Sequence, residues 1–178
     1  MNIFILEYIT NATCNRVVKE IIKNRPEPEE PIVVYINSTG GEEEADYAIY
    51  EALRMSGRKI ITHAVNEVCS SAITVYLAGD ERYATNYSRF MIHRPFEAVQ
   101  SESEYIADTY RHHAKGLDAM ADSYFRLICK RSELTQERLK NFIKSSYENN
   151  WFFDTKTAKK WGVVHEIGFP ILENGVLV

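Results

Sequence analysis

Short apolar runs alternate along the chain with stretches in which apolar residues recur every three or four positions. Ile3 to Leu6 is the first run, and Val17, Val18, Ile21 and Ile22 then recur at helical spacing behind Thr10-Asn11, which predicts a strand followed by a capped helix. Arg25-Pro26 stops that helix. Pro26 to Pro31, interleaved with glutamates, reads as an exposed connector and not a domain linker, because apolar chain resumes at once. Ile32-Val33-Val34-Tyr35-Ile36 is nearly continuous hydrophobe, the pattern of a strand covered on both faces. After the turn Asn37 to Gly41, Glu42-Glu43-Glu44 opens a helix through Met55. The acidic first turn suits the helix dipole, and Gly57 suits the position just past the end. The β-branched run Ile60-Ile61-Thr62, the Ser70-Ser71 bend and the apolar run Ile73 to Ala78 predict a buried strand, a tight turn and a buried helix.

Arg82 to Thr85 and Arg89 to His93 read as two short strands around Asn86-Tyr87-Ser88, with Pro95 preventing the second from continuing. Ser101-x-x-Glu104 is a capping-box pattern, and Ile106, Tyr110, His113, Leu117, Met120, Tyr124 and Ile128 behind it form the stripe of a long amphipathic helix. That helix is too long for a domain of this size to cover, so part of its stripe is expected to meet another subunit. A helix over about Thr135 to Tyr147 follows. Asp154-Thr155 caps a short helix ending at Gly162, and Val163-Val164 begins a last strand. Strand, helix and strand alternating from residue 32 to residue 79 imply an α/β fold with a largely parallel sheet.

Composition narrows the classes of function. The 178 residues, 45% hydrophobic, suit one globular domain with a substantial core. A net charge of −4 offers no basic surface for a phosphate backbone, so no nucleic-acid partner is expected. Cys14, Cys69 and Cys129 are widely spaced, without a metal-ligand pattern or a disulfide framework. Neither a metal nor a cofactor is expected. The first residues lack a basic leader and no apolar run is long enough to span a membrane, so the expected setting is the reducing cytoplasm, with no membrane partner.

Candidate chemistry gathers at the carboxyl ends of the strands, where open α/β sheets hold their ligands. A serine at the Ser70-Ser71 bend sits between a buried strand and a helix N-terminus, and the free N–H groups of Ser71 and Ala72 point at any negative charge developing beside it. A serine ahead of an apolar helical run also serves as a plain N-cap, and both roles stand open. The Gly40-Gly41 pair lacks the spacing of a phosphate loop. It serves for backbone angles, or for close approach of another chain segment that leaves an N–H free. His93 is the one histidine of five at the mouth of an apolar strand.

These pieces coincide with one family. Ile36-Asn37-Ser38-Thr39-Gly40-Gly41, Ala48-Ile49-Tyr50, Cys69-Ser70-Ser71, Leu77-Ala78-Gly79 and Met91-Ile92-His93-Arg94-Pro95 resemble, in order and spacing, the proteolytic subunit of the Clp protease, a serine peptidase. The resemblance implies a Clp/crotonase-like fold, a repeated β-β-α superhelix carrying a protruding long-helix handle. It also implies one domain over residues 1–178, with its core in about 1–95 and 150–178 and the handle in about 96–149. Position by position, it makes Ser70 the nucleophile, His93 the general base, and the N–H groups of Gly41 and Ser71 the oxyanion hole. Ser71 is a rival nucleophile ranked below Ser70.

This chain departs from the family at several positions. Asn150 stands where the third catalytic residue, an aspartate, is expected. It can orient the His93 ring but stabilises an imidazolium less than a full charge does. The stretch before it is longer than in relatives, so Glu148, Asn149 or Asp154 could take that place, Asp154 looking more like a helix cap. Asn66 and Ala72 replace two glycines near the nucleophile, and Ser71 replaces a methionine. The implied function is an endopeptidase acting through an acyl-enzyme on peptides or unfolded chains, inside a homo-oligomeric chamber of stacked heptameric rings. The chain begins at the first core strand, without the axial-loop segment, which sets an ATP-dependent unfoldase partner in question. A catalytically weak or inactive subunit that assembles with an active relative is the alternative. A thioester-binding role of the acyl-CoA hydratase kind rests on fold-level analogy alone.

Overall fold

The computed structural model describes residues 1–23, 30–96 and 107–170. In chain order the elements are β1 (Asn2–Ile5), α1 (Asn11–Lys23), β2 (Ile32–Ser38), α2 (Glu43–Met55), β3 (Ile60–Cys69), α3 (Ala72–Tyr76), β4 (Glu81–Ala84) and β5 (Arg89–His93). After these come α4 (Ala107–Arg131), α5 (Gln136–Ser145), a 3-10 turn over Tyr147–Asn149, β6 (Asn150–Asp154), α6 (Thr155–Lys160) and β7 (Glu166–Ile167). The strands form one sheet in the order β1-β2-β3-β4-β7, all parallel. β5 joins β3 in parallel and carries β6 antiparallel on its other side.

Strand β3 is what positions the site. The sequence predicts it from its β-branched start, but it runs for ten residues and outlasts the four-residue β4. Ile61 to Ala64 pair with β4, and Glu67 to Cys69 pair instead with β5. The sheet therefore divides along β3. The two short strands around Asn86 do not pair with each other; each takes its own half of β3. The ladder continues one step past the strand, where Ser70 N–H donates to Met91 O at 2.8 Å, so His93 arrives beside residue 70 by strand register.

Helix α1 is capped as read: Thr10 Oγ1 accepts from Thr13 N–H at 3.3 Å, and Thr13 Oγ1 accepts from Thr10 N–H at 3.3 Å. Its apolar stripe is narrower than expected, because Val17 is buried whereas Ile22, rotated past the packed face, is 62% exposed. The expected connector at Pro26 to Pro31 lies mostly outside the described residues, as do Ser101, Glu104 and Ile106. Among the described side chains of α4, Ala121, Tyr124, Phe125 and Ile128 in its C-terminal half are the ones buried in the core. Residues 111–120 face solvent apart from half-buried Leu117.

Two strand assignments change. Asn150 to Asp154 form β6, which no alternation in Asn-Trp-Phe-Phe-Asp announced; only Phe153 of them is buried. The last strand begins at Glu166, not Val163. Val163 and Val164 are buried in the turn after α6, where both N–H groups bond back to Ala158 O and Gly162 takes a φ of +66°. Buried Arg82 joins these parts: its guanidinium donates to Val163 O, Gly79 O, Arg131 O and Gly162 O at 2.7–3.0 Å and lies 2.6 Å from His165 Nε2.

Candidate active site

Three turns at the carboxyl edge of the sheet converge on a cleft of about 970 Å³. They are the β2–α2 turn with Gly40-Gly41, the β3–α3 turn with Ser70-Ser71, and the end of β5 with His93. The cleft is acidic on the α2 side, with Glu42, Glu43 and Asp46. It is apolar on the other, with Met91, Phe96 and Met120.

Ser70 Oγ lies 2.6 Å from His93 Nε2. The serine occupies a left-handed conformation, φ +55°, unusual for a residue with a side chain. Tight bonding on both sides holds it there: its N–H is tied to Met91 O, and its carbonyl accepts from Ile73 N–H at 2.9 Å and from the Tyr124 hydroxyl at 3.0 Å. The plain N-cap role is not taken by either serine. Ser70 Oγ faces His93, while Ser71, at the N-cap position, makes no side-chain cap bond and its Oγ is buried without a partner.

Both glycines are required by contact. A Cβ on Gly40 would come 2.7 Å from Ser70 Cβ, and its φ is +107°. A Cβ on Gly41 would come 1.9 Å from Ile9 O. The bridge between Ile9 and Gly41 uses Gly40 O, 2.8 Å from Ile9 N, and Glu42 N, 2.9 Å from Ile9 O. This consumes the groups on either side of the Gly41 amide. Among the described residues, the N–H groups of Gly41 and Ser71 have no backbone acceptor, and both residues line the cleft. The close approach and the spare donor, left open by the sequence, are both present.

The surroundings of His93 favour its neutral form. Burial pushes its pKa below the ordinary imidazole value, opposed by a backbone hydrogen bond with Arg94. The Phe96 ring packs against it at 5.4 Å between centroids. Asn150 is the direct cross-strand partner of His93, so both side chains leave the same face of the β5–β6 pair. No hydrogen bond joins them among the described residues. Of the other residues considered for this place, Asp154 caps α6, its Oδ1 accepting from Thr157 N–H at 2.8 Å. Glu148 and Asn149 are exposed, in left-handed conformations of the 3-10 turn.

Two residues that the sequence reading passed over also border the cleft. Tyr124 brings α4 onto the Ser70-Ser71 turn through its bond to Ser70 O. Asp46 is a carboxyl buried in the α2–α3 contact, and its place between Ala45 and Ile49 on the buried stripe was the available signal. Among the described residues no group of three or more histidine, cysteine, aspartate or glutamate side chains is placed to hold a metal ion. The arrangement can deprotonate a serine hydroxyl and offer two amide donors to an oxyanion.

Comparison with known proteins agrees with the sequence resemblance. The model of the Clp protease family matches residues 1–170. The ATP-dependent Clp protease proteolytic subunit 2 of Borreliella burgdorferi is 27% identical over 139 residues, 77% of this chain and 66% of its own length. The chain thus spans just under two thirds of that relative. Among solved structures, an asparagine-to-aspartate mutant of ClpP1 from Listeria monocytogenes superposes with a TM-score of 0.80 at 24% identity, over 98% of this chain and 93% of that one, which establishes the Clp/crotonase-like α/β fold. By the family match and the fold together, this chain is a member of the Clp protease family.

Proposed function

We propose that this chain is a serine-type peptidase in which Ser70 is the nucleophile, His93 the general base, and the Gly41 and Ser71 amides the oxyanion hole. The observation that carries the reading is the 2.6 Å contact of Ser70 Oγ with His93 Nε2. Neutral Nε2 takes the hydroxyl proton as Oγ bonds to the substrate carbonyl carbon. The two amides receive the charge on the carbonyl oxygen, and the imidazolium returns its proton to the departing amine. A water activated by the same nitrogen then cleaves the acyl-enzyme and frees Ser70. Asn150 stands opposite the ring across the β5–β6 pair in this scheme and contributes no charge.

The substrates are peptides or unfolded chains, and the working form is a ring of copies, with about residues 96–149 as the handle on a single domain over 1–178. Exposed Met120 and half-buried Leu117 on the α4 stripe support that assembly. Among the described residues no helix is long and apolar enough to cross a membrane, and the three cysteines are free, which supports a cytoplasmic setting. An unfoldase partner has no support in this geometry.

Hydrolysis of fluorogenic peptides and of an unfolded protein such as casein tests the reading. Turnover by the wild type and none by Ser70→Ala is expected; equal turnover by both removes Ser70 from the mechanism. A second reading, a catalytically silent ring subunit, is favoured by the missing bond between Asn150 and His93. Assembly into rings without turnover, with activity appearing only on mixing with an active relative, would select it.

A further inference from the structure

One corner of the cleft holds a group of buried polar atoms that the peptidase scheme does not use. Asp46 is 1% exposed, and neither of its carboxyl oxygens has a hydrogen-bond partner. The same is true of Ser71 Oγ, Thr74 Oγ1 and the Tyr47 hydroxyl. Buried polar groups are nearly always paired, so the four orphan atoms of Asp46, Ser71 and Thr74 require an explanation. Ser71 and Thr74, in the first turn of α3, lie near enough to act on the Asp46 carboxyl without reaching hydrogen-bond geometry.

The charged groups around Asp46 decide its state. Glu43 and Tyr47 of its own helix and Tyr124 of α4 are the titratable groups that interact with it electrostatically. Arg126 of α4 acts on Tyr47, and among the described residues no salt bridge reaches Asp46, whose carboxyl oxygens have no hydrogen-bond partner. A carboxylate enclosed beside another acid, with no counter-ion, is strongly disfavoured. A carboxylic acid is a different group, with one O–H donor and one carbonyl acceptor. That pair matches in kind the two orphaned hydroxyls of Ser71 and Thr74 that act on the carboxyl. Burial and the neighbouring Glu43 accordingly push the Asp46 pKa up to about 9.

Resting on the peptidase reading, we propose that Asp46 is a positioning residue: as an uncharged acid it anchors α2 to the first turn of α3 and so sets the Ser71 amide for the oxyanion. Its ionised form opposes the reaction twice. It loses the donor that engages the hydroxyls, and it places a negative charge beside the turn where a second negative charge must develop. The alkaline limit of activity therefore belongs to Asp46, and the acid limit to His93.

The rate at which a fluorophosphonate modifies Ser70, followed by intact mass from about pH 5 to about pH 10, tests this. Wild type, Asp46→Asn and Asp46→Ser are compared, the serine variant guarding against a fold defect peculiar to the amide. In the wild type the rate rises as His93 loses its proton, then falls about tenfold per pH unit above the Asp46 transition. In both variants the acid limb stays and the alkaline fall disappears. Thermal unfolding supplies a readout independent of chemistry. The unfolded Asp46 ionises near the ordinary carboxyl value while the folded one keeps its proton, so the folded state binds the extra proton. Wild-type stability then declines as pH rises between those values, and the Tm gap between Asp46→Asn and wild type widens toward pH 9. An unchanged alkaline fall in Asp46→Asn, no alkaline fall in the wild type, or a Tm gap constant with pH overturns the proposal. Modification with an unchanged alkaline limb removes the role of Asp46 alone; no modification of any chain at any pH removes the peptidase reading and the proposal with it.

Discussion

Asn150 stands directly opposite His93 in the antiparallel β5–β6 pair, and among the described residues their side chains share no hydrogen bond. The position is right for a partner to the imidazole, but the group is neutral. Asn150→Asp places a carboxylate on the same strand face, where it raises the His93 pKa and stabilises the imidazolium formed during attack. The expected result is a gain in the rate of fluorophosphonate modification of about tenfold or more, with the acid limb moved to higher pH. An unchanged rate and an unchanged limb would show that residue 150 does not act on His93.

The pH dependence of the unmodified chain follows from the depressed His93 pKa. The base is active when neutral, and burial lowers its pKa, so full activity persists to a pH somewhat below the ordinary imidazole value of about 6.5 and is lost as pH falls further. The same shift means that the unfolded chain protonates first on acidification, so this residue's share of stability declines below about pH 6.5. Peptide turnover followed across that range, with Tm measured alongside, checks both signs.

Much of this site was legible in the sequence. Strand, turn and helix signals around Ser70 and His93 placed both at the carboxyl edge, and the order of the glycine, serine and histidine segments pointed to the family. What brings them together was not legible. The length of β3 depends on its change of partner from β4 to β5, a tertiary event with no signature in Val65 to Cys69. β6 was missed because its aromatic run lacks alternation and owes its strand form to pairing with β5. Asp46 was missed for a different reason. It lies three residues before Ile49 and seven before Leu53, on the buried stripe of α2, yet a carboxyl two residues past Glu42-Glu43-Glu44 gives no sign by its type that it is buried.

Gly41 and Gly40 make contrasting substitutions. Gly41→Ala drives a Cβ into Ile9 O and should destabilise the chain by about 2–4 kcal/mol, as a steric clash with backbone. Gly40→Ala instead strikes Ser70 Cβ and strains a φ of +107°. It should also slow modification of Ser70 more than its loss of stability explains. Denaturant midpoints and labelling rates on the same preparations separate the two.

Tyr124→Phe removes the hydroxyl that α4 offers to Ser70 O. A stability cost of about 1 kcal/mol is expected, with modification of Ser70 slowed several-fold because the left-handed serine loses one of its restraints. An unchanged labelling rate would confine Tyr124 to packing.

Arg82→Met leaves Val163 O, Arg131 O, Gly162 O and His165 Nε2 without their side-chain donor in a buried region, whereas Gly79 O keeps Arg131. The cost is expected to be about 3 kcal/mol or more by urea unfolding, with the base of α4 losing hydrogen-exchange protection first. A smaller cost would mean that water replaces the guanidinium there.

The central claim is that Ser70 is a nucleophile activated by His93. Intact mass and peptide mapping after treatment with a fluorophosphonate address it directly. A single adduct on Ser70, absent from Ser70→Ala and formed at least about a hundredfold more slowly in His93→Ala, is the expected result. An adduct on Ser71, or one that persists in Ser70→Ala, would contradict the account.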